Sequence, residues 1–159
     1  HLTAELFKSS TGTRITHVPF KGSAPGVLAL VGGQIDLSFT TIVISIPQVK
    51  AGRLRALAVT SPLRSRAAPA LPTMIEAGVP GFESQQWFGL FGPAALPKDI
   101  VSKLHAETLR TMENADLRER LAADGGEHTA MSSEQFGTYI RADAARWAQV
   151  IRTSGATAD

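Results

Sequence analysis

An α/β fold built on a parallel sheet is what this 159-residue sequence predicts, and three observations carry it. Short β-branched runs alternate with amphipathic helical stretches from residue 2 to residue 60. Glycines or glycine pairs close the helical stretches, as chain reversals before a new strand require. The composition, 43% hydrophobic and 19% charged, is that of a chain that buries a core rather than a disordered one. Strand, helix, strand, helix, strand at such spacing is the pattern of βαβ units.

The elements follow in order. Residues 2–10 read as a helix stopped at Gly12, although no Ser, Thr, Asp or Asn caps it in front. His1 is not a Met, so the chain is expected to be truncated upstream. Arg14 to Val18 alternates as a strand, and Pro19 to Gly22 is a loop. Ser23 is the expected N-cap of a helix with Pro25 in its first turn, Val27, Leu28, Leu30 and Val31 on its buried side, and Gly32-Gly33 at its end. Ile35 to Thr40 is a second strand. A short helix over 43–51, kinked or delayed by Pro47, leads to Gly52 and a third strand, Leu54 to Thr60. Pro62, Pro69, Pro72 and Pro80 then punctuate a loop that holds one short helix, Thr73 to Ala77. Ser84 to Phe91 is again extended. Three amphipathic helices complete the chain: 98–113 behind Pro97, 116–123 ended by Gly125-Gly126, and one opened by the capping box Ser132-Ser133-Glu134-Gln135 and running to about residue 154.

Several functions are excluded or disfavoured. A net charge of +2 gives no electrostatic footprint for nucleic acid. No run approaches the ~20 apolar residues of a membrane helix. Without Cys there are no disulfides, thiolate metal sites or Cys nucleophiles. His1, His17, His105 and His128 are scattered, with no carboxylate at ligand spacing, so no metal is expected. No G-x-S-x-G elbow, Walker loop or G-x-G-x-x-G turn is present. No acid, base and nucleophile converge, so neither an enzyme nor a cofactor is expected.

One feature remains. Lys21-Gly22-Ser23-Ala24 follows a predicted strand and opens a helix, offering backbone N–H groups, a positive helix end and a hydroxyl. Thr40-Thr41, just past the second predicted strand, falls at the same sheet edge, where open parallel sheets bind their ligands. Residues 1–97 carry 8 basic and 4 acidic side chains, whereas 98–159 carry 8 and 10, so the first part is the one that favours an anion. On this pattern alone an ordinary capped loop is the stronger reading, and a pocket for a small carboxylate is the sharper alternative.

The order of segments resembles a known family. His17-Val18-Pro19-Phe20-Lys21-Gly22-Ser23-Ala24-Pro25, Gly33 to Phe39, and Ala51-Gly52-Arg53-Leu54-Arg55-Ala56-Leu57-Ala58-Val59-Thr60 are similar to the Bug (TctC-like) receptors of tripartite tricarboxylate transporters. Pro72-Thr73, Glu76 to Gly81, Trp87-Phe88-Gly89-Leu90 with Pro93, and Trp147 match in the same order. The resemblance implies a type II-like periplasmic-binding-protein fold, of which this chain is the C-terminal half. Residues 1–80 would be the second, ligand-binding lobe, 81–95 a hinge crossover, and 96–159 helices that belong to the first lobe. It implies a periplasmic, non-enzymatic receptor that passes a small carboxylate to membrane subunits, with Lys21, Gly22, Ser23, Ala24, Thr40 and Thr41 at the ligand. Thr40 falls where amino-acid-binding relatives carry an Asp, which argues against an amino-acid ligand. The competing function is the effector-binding domain of a transcription regulator with the same two-lobe architecture. Trp87 is expected to pack on the hinge. The stripes Ile100, Val101, Leu104; Leu117, Leu121; and Phe136, Tyr139, Ile140, Trp147, Ile151 are expected to need cover from outside the half receptor, so that the chain alone would pair with a second copy.

Overall fold

The computed structural model describes residues 1–123 and 125–157. Among these residues six helices form: α1 Leu2–Thr11, α2 Ser23–Val31, α3 Ile42–Lys50, α4 Lys98–Met112, α5 Ala115–Ala123 and α6 Ser133–Ser154. Their ends are set by the expected residues. Gly12 closes α1 in the left-handed region at φ 68°, where a side chain would be strained, and its amide reaches the Lys8 carbonyl. The α6 capping box is complete: the Ser132 hydroxyl accepts from the Gln135 amide at 3.1 Å while the Gln135 side chain accepts from the Ser132 amide at 2.8 Å. Asn114 Oδ1 accepts from the Leu117 amide at 3.0 Å at the start of α5. α3 runs through Pro47 instead of breaking there, and the Ser45 hydroxyl donates back to the Thr41 and Ile42 carbonyls in the turn before it.

The strands are where structure and sequence part. Among the described residues Arg14–Val18, Ile35–Thr40, Leu54–Thr60 and Ser84–Phe91 form no ladder, and the one bridge is parallel, Val59 with Thr73. Alternating β-branched residues mark a chain that suits a pleated surface, but a strand also needs a neighbour in register. The third run finds backbone partners, the last of them at the head of the fourth: the Val59 amide donates to the Pro72 carbonyl at 2.8 Å, the Met74 amide to the Val59 carbonyl at 2.9 Å, and the Ser84 amide to the Thr60 carbonyl at 2.9 Å. The short helix expected over 73–77 is instead a closed turn. It is fastened reciprocally, the Thr73 amide donating to Glu76 Oε2 at 2.8 Å and the Glu76 amide to Thr73 Oγ1 at 3.1 Å, with Arg64 Nε on the same carboxylate at 2.9 Å.

The core is small and sits where α1, residues 39 and 59, and the segment after Gly81 meet. Phe82 is 1% exposed, and its ring lies 6.1 Å from Phe7 and 6.4 Å from Phe39. In α2 the buried residues are Gly26, Val27 and Ala29, while Leu28, expected inside, is 67% exposed. α1 packs against α6, α2 against α3, and α4 against α5. The stripes of the last three helices divide. Phe136 and Tyr139 of α6 find cover within the chain, on Trp87; Ile100 and Leu104 of α4 and Ile151 of α6 stay exposed. No helix among the described residues is long and apolar enough to cross a membrane.

Candidate functional site

The two loops singled out in the sequence lie at the starts of two helices that touch. α2 opens at Gly22, held at φ 100° and ψ 173° with its amide on the Phe20 carbonyl at 2.8 Å. A Cβ there would meet nothing within 4 Å, so it is the backbone conformation, not space, that demands glycine. Gly22 is therefore the N-cap, and Ser23 is the first helical residue, not the cap expected of it; no side chain caps this end. Pro25 in the third helical position has no N–H, which leaves the amides of Ser23 and Ala24 as donors without a side-chain acceptor. Lys21, Gly22, Ser23 and Ala24 are all exposed, and Lys21 makes no ion pair among the described residues.

α3 opens at Thr41, in extended conformation and again without a side-chain cap. Just before it, Thr40 Oγ1 is buried and has no hydrogen-bond partner. A buried hydroxyl left unpaired is costly, which sets Thr40 apart from the capping and back-bonding hydroxyls elsewhere in the chain. Contact between α2 and α3 brings the two elements together. The positive ends of two helices, an unpaired ammonium and an unpaired hydroxyl can together hold an anion through hydrogen bonds. Among the described residues no group of three or more His, Asp or Glu is placed to hold a metal ion. The ring of His17 stacks on His1 at 3.8 Å.

A second polar cluster was not legible beforehand. Trp87 packs, as expected, with its ring 5.5 Å from Phe136 and 6.0 Å from Tyr139, and its indole N–H also donates to Asp143 Oδ2 at 2.9 Å. Asp143 Oδ1 accepts from Arg146 at 2.7 Å, and the other terminal nitrogen of Arg146 donates to the Glu83 carbonyl at 2.9 Å. Burial alone would raise the Asp143 pKa, but the Trp87 and Arg146 hydrogen bonds outweigh it and hold the carboxyl below its ordinary value. Burial, helped by the Asp143 charge, pushes the neighbouring Tyr139 phenol up. The signal lay in the spacing: Phe136, Tyr139, Asp143 and Arg146 recur at three and four residues, one face of a helix.

Solved structures share this architecture. R. palustris Rpa4515 with adipate is 37% identical, superposes with a TM-score of 0.84, and is matched over 98% of this chain but 52% of its own. MatC (Rpa3494) from Rhodopseudomonas palustris with bound malate is 32% identical at a TM-score of 0.74, over 94% of this chain and 52% of its own. The periplasmic binding protein BugD is 30% identical at a TM-score of 0.79, over 98% of this chain and 52% of its own, so these likenesses define the class: the chain folds like part of a periplasmic binding protein. Residues 1–156 match the tripartite tricarboxylate transporter family receptor (TctC), and the chain belongs to that family. Protein BugT of Bordetella pertussis is 34% identical over 156 residues, 98% of this chain and 48% of its own length. The chain thus spans about half the length of these relatives.

Proposed function

We propose that this chain is the C-terminal half of a periplasmic receptor that captures a small carboxylate and hands it to the membrane subunits of a tripartite transporter. The observation that carries the reading is the pair of uncapped starts on two helices that pack together, α2 behind Lys21-Gly22 and α3 behind Thr40-Thr41, with Thr40 Oγ1 buried and unpartnered among the described residues. In this reading Lys21 supplies the counter-charge, the Ser23 and Ala24 amides and the Ser23 hydroxyl donate hydrogen bonds to the carboxylate oxygens, and Thr40 and Thr41 complete the edge. Adipate and malate in two relatives support a dicarboxylate. Thr40 offers no charge to an ammonium, so amino acids bind less well.

The lobe assignment belongs to the same proposal: 1–80 the second lobe, 81–95 the crossover, 96–159 helices of the first. Runs 14–18, 35–40 and 54–60 would then join a parallel sheet of the type II kind once strands of the remaining half lie between them. That half would also cover Phe88, Leu90 and Leu104, which are 88%, 69% and 46% exposed; in its absence a second copy of the chain would. Receptor relatives favour this reading over the effector domain of a regulator. Calorimetry on the full-length receptor with adipate, malate, aspartate and glutamate tests it. A dicarboxylate without an amino group is expected to bind most tightly; tightest binding to aspartate or glutamate would overturn it.

A further inference from the structure

The crossover is fastened on both sides of a short gap. On one side Ser84 is held to residues of the proposed second lobe: its amide donates to the Thr60 carbonyl at 2.9 Å, and its hydroxyl lies 2.7 Å from that of Thr3 in α1. On the other side Trp87 is held to α6 by the Asp143 carboxylate and by the rings of Phe136 and Tyr139. Gly89 runs so close over α6 that a Cβ would overlap the Phe136 ring. Between the two anchors stand Gln85 and Gln86, both exposed. They are the residues free to change φ and ψ if the two sides rotate.

One side chain spans that gap. Arg146 uses one terminal nitrogen on Asp143, the residue that holds Trp87, and the other on the Glu83 carbonyl, beyond the pivot. The planar guanidinium fixes both bonds in one geometry, and the same group lies 4.9 Å from the Trp147 ring centroid. Rotation about 85–86 would therefore have to break or stretch the bond to Glu83. α6 itself is a second strut, because it packs against α1 and buries Val150, about one turn beyond Arg146. The helix limits large movements; Arg146 sets the angle within that limit.

We propose that Arg146 is a positioning residue for ligand capture, latching the crossover across Gln85–Gln86 and so setting the angle between the lobes without touching the carboxylate. The proposal rests on the two-lobe receptor reading, and it draws on a different part of the chain from the ligand loops.

The test compares full-length receptor with Arg146→Met, which keeps the packing stem, and Arg146→Lys, which keeps the charge but not the fork. Hydrogen exchange at 85–87 and the radius of gyration of the ligand-free receptor read the latch directly; calorimetry with adipate reads its effect on capture. Arg146→Met is expected to speed exchange at 85–87 and change the radius of gyration. It should also weaken adipate binding about tenfold, the scale of one charge-assisted hydrogen bond. Arg146→Lys should recover only part of each. Unchanged exchange would overturn the latch. Faster exchange with unchanged radius and affinity would also overturn it, reducing Arg146 to a local brace. If the unaltered receptor binds neither adipate nor malate, the receptor reading fails, while exchange and radius of gyration still decide the latch.

Discussion

Helix α6 enters through Ser132, whose hydroxyl and amide are both engaged by Gln135, whereas α2 enters through Gly22, which has no side chain to offer. The difference continues beyond the first turns. Along α6 the polar groups of Asp143 and Arg146 are spent on the crossover, bond by bond. At α2 and α3 the amides of Ser23 and Ala24, the Lys21 ammonium and the Thr40 hydroxyl are spent on nothing within the described residues. A region whose donors and acceptors are closed on themselves serves the fold. One whose donors stay open keeps its hydrogen-bonding capacity for another molecule, at some cost in stability. Substitutions in the first region should therefore move stability, and those in the second should move binding.

The largest effect is expected at Phe82, the most buried large side chain, which closes the ring cluster with Phe7 and Phe39. Phe82→Ala should cost about 3–5 kcal/mol in chemical denaturation. A loss below about 1 kcal/mol would mean that the core is not where the crossover begins, and the closed region would lose its centre. Gly89→Ala comes next. Its new Cβ would press on the Phe136 ring, and overpacking of this kind costs roughly 1–3 kcal/mol. Adding Phe136→Leu should relieve part of that cost; strictly additive losses would show that the two positions are not in contact.

The two regions were not equally legible. Helix ends were, because caps are local: Gly12, Gly32 and the Ser132–Gln135 box all act within a few residues of the end they close. The strands were readable as pattern but not as structure, since pairing depends on neighbours that a run such as 35–40 does not carry. Ser23 was misplaced by one residue, because Gly22 with φ near 100° takes the cap position that composition assigns to Ser. Leu28 was expected inside on periodicity, but the small residues Gly26 and Ala29 let α2 approach closely instead. The proposed ligand edge was visible only as a loop opening a helix behind a predicted strand. The orphaned Thr40 hydroxyl was not, because burial of one atom is a tertiary fact. Arg146 was invisible as a latch for the same reason: its partner is a backbone carbonyl 63 residues away.

A direct comparison sets Ser132→Ala against Ser23→Ala. The first removes a made cap and should cost about 1 kcal/mol. The second removes a hydroxyl that caps nothing, and its effect on stability should stay within about 0.5 kcal/mol, as for other exposed positions. In the full-length receptor Ser23→Ala should instead weaken dicarboxylate binding, with Ser132→Ala leaving it unchanged. Equal losses of stability would erase the distinction between the two helix starts.

The smallest effects are in acid. Asp143 and Glu76 both carry carboxyls held below their ordinary values in the folded chain, Asp143 by the Trp87 and Arg146 bonds against burial, Glu76 chiefly by the Thr73 amide and then by Arg64. A depressed folded pKa contributes stability that is present above the unfolded value and lost as pH falls through the folded one, so both contributions should fade below about pH 4. Asp143 is the more buried and fastens the crossover from α6; Asp143→Asn should flatten this acid slope more than Glu76→Gln, whose carboxylate is solvated and screened. The order of causes at Glu76 is also open to measurement. Arg64→Met removes the second cause and leaves the first, so the Glu76 carboxyl, followed by NMR titration, should move up only part of the way. A full return to the ordinary value would mean that the Thr73 turn contributes nothing and that the closed box there is held by charge alone.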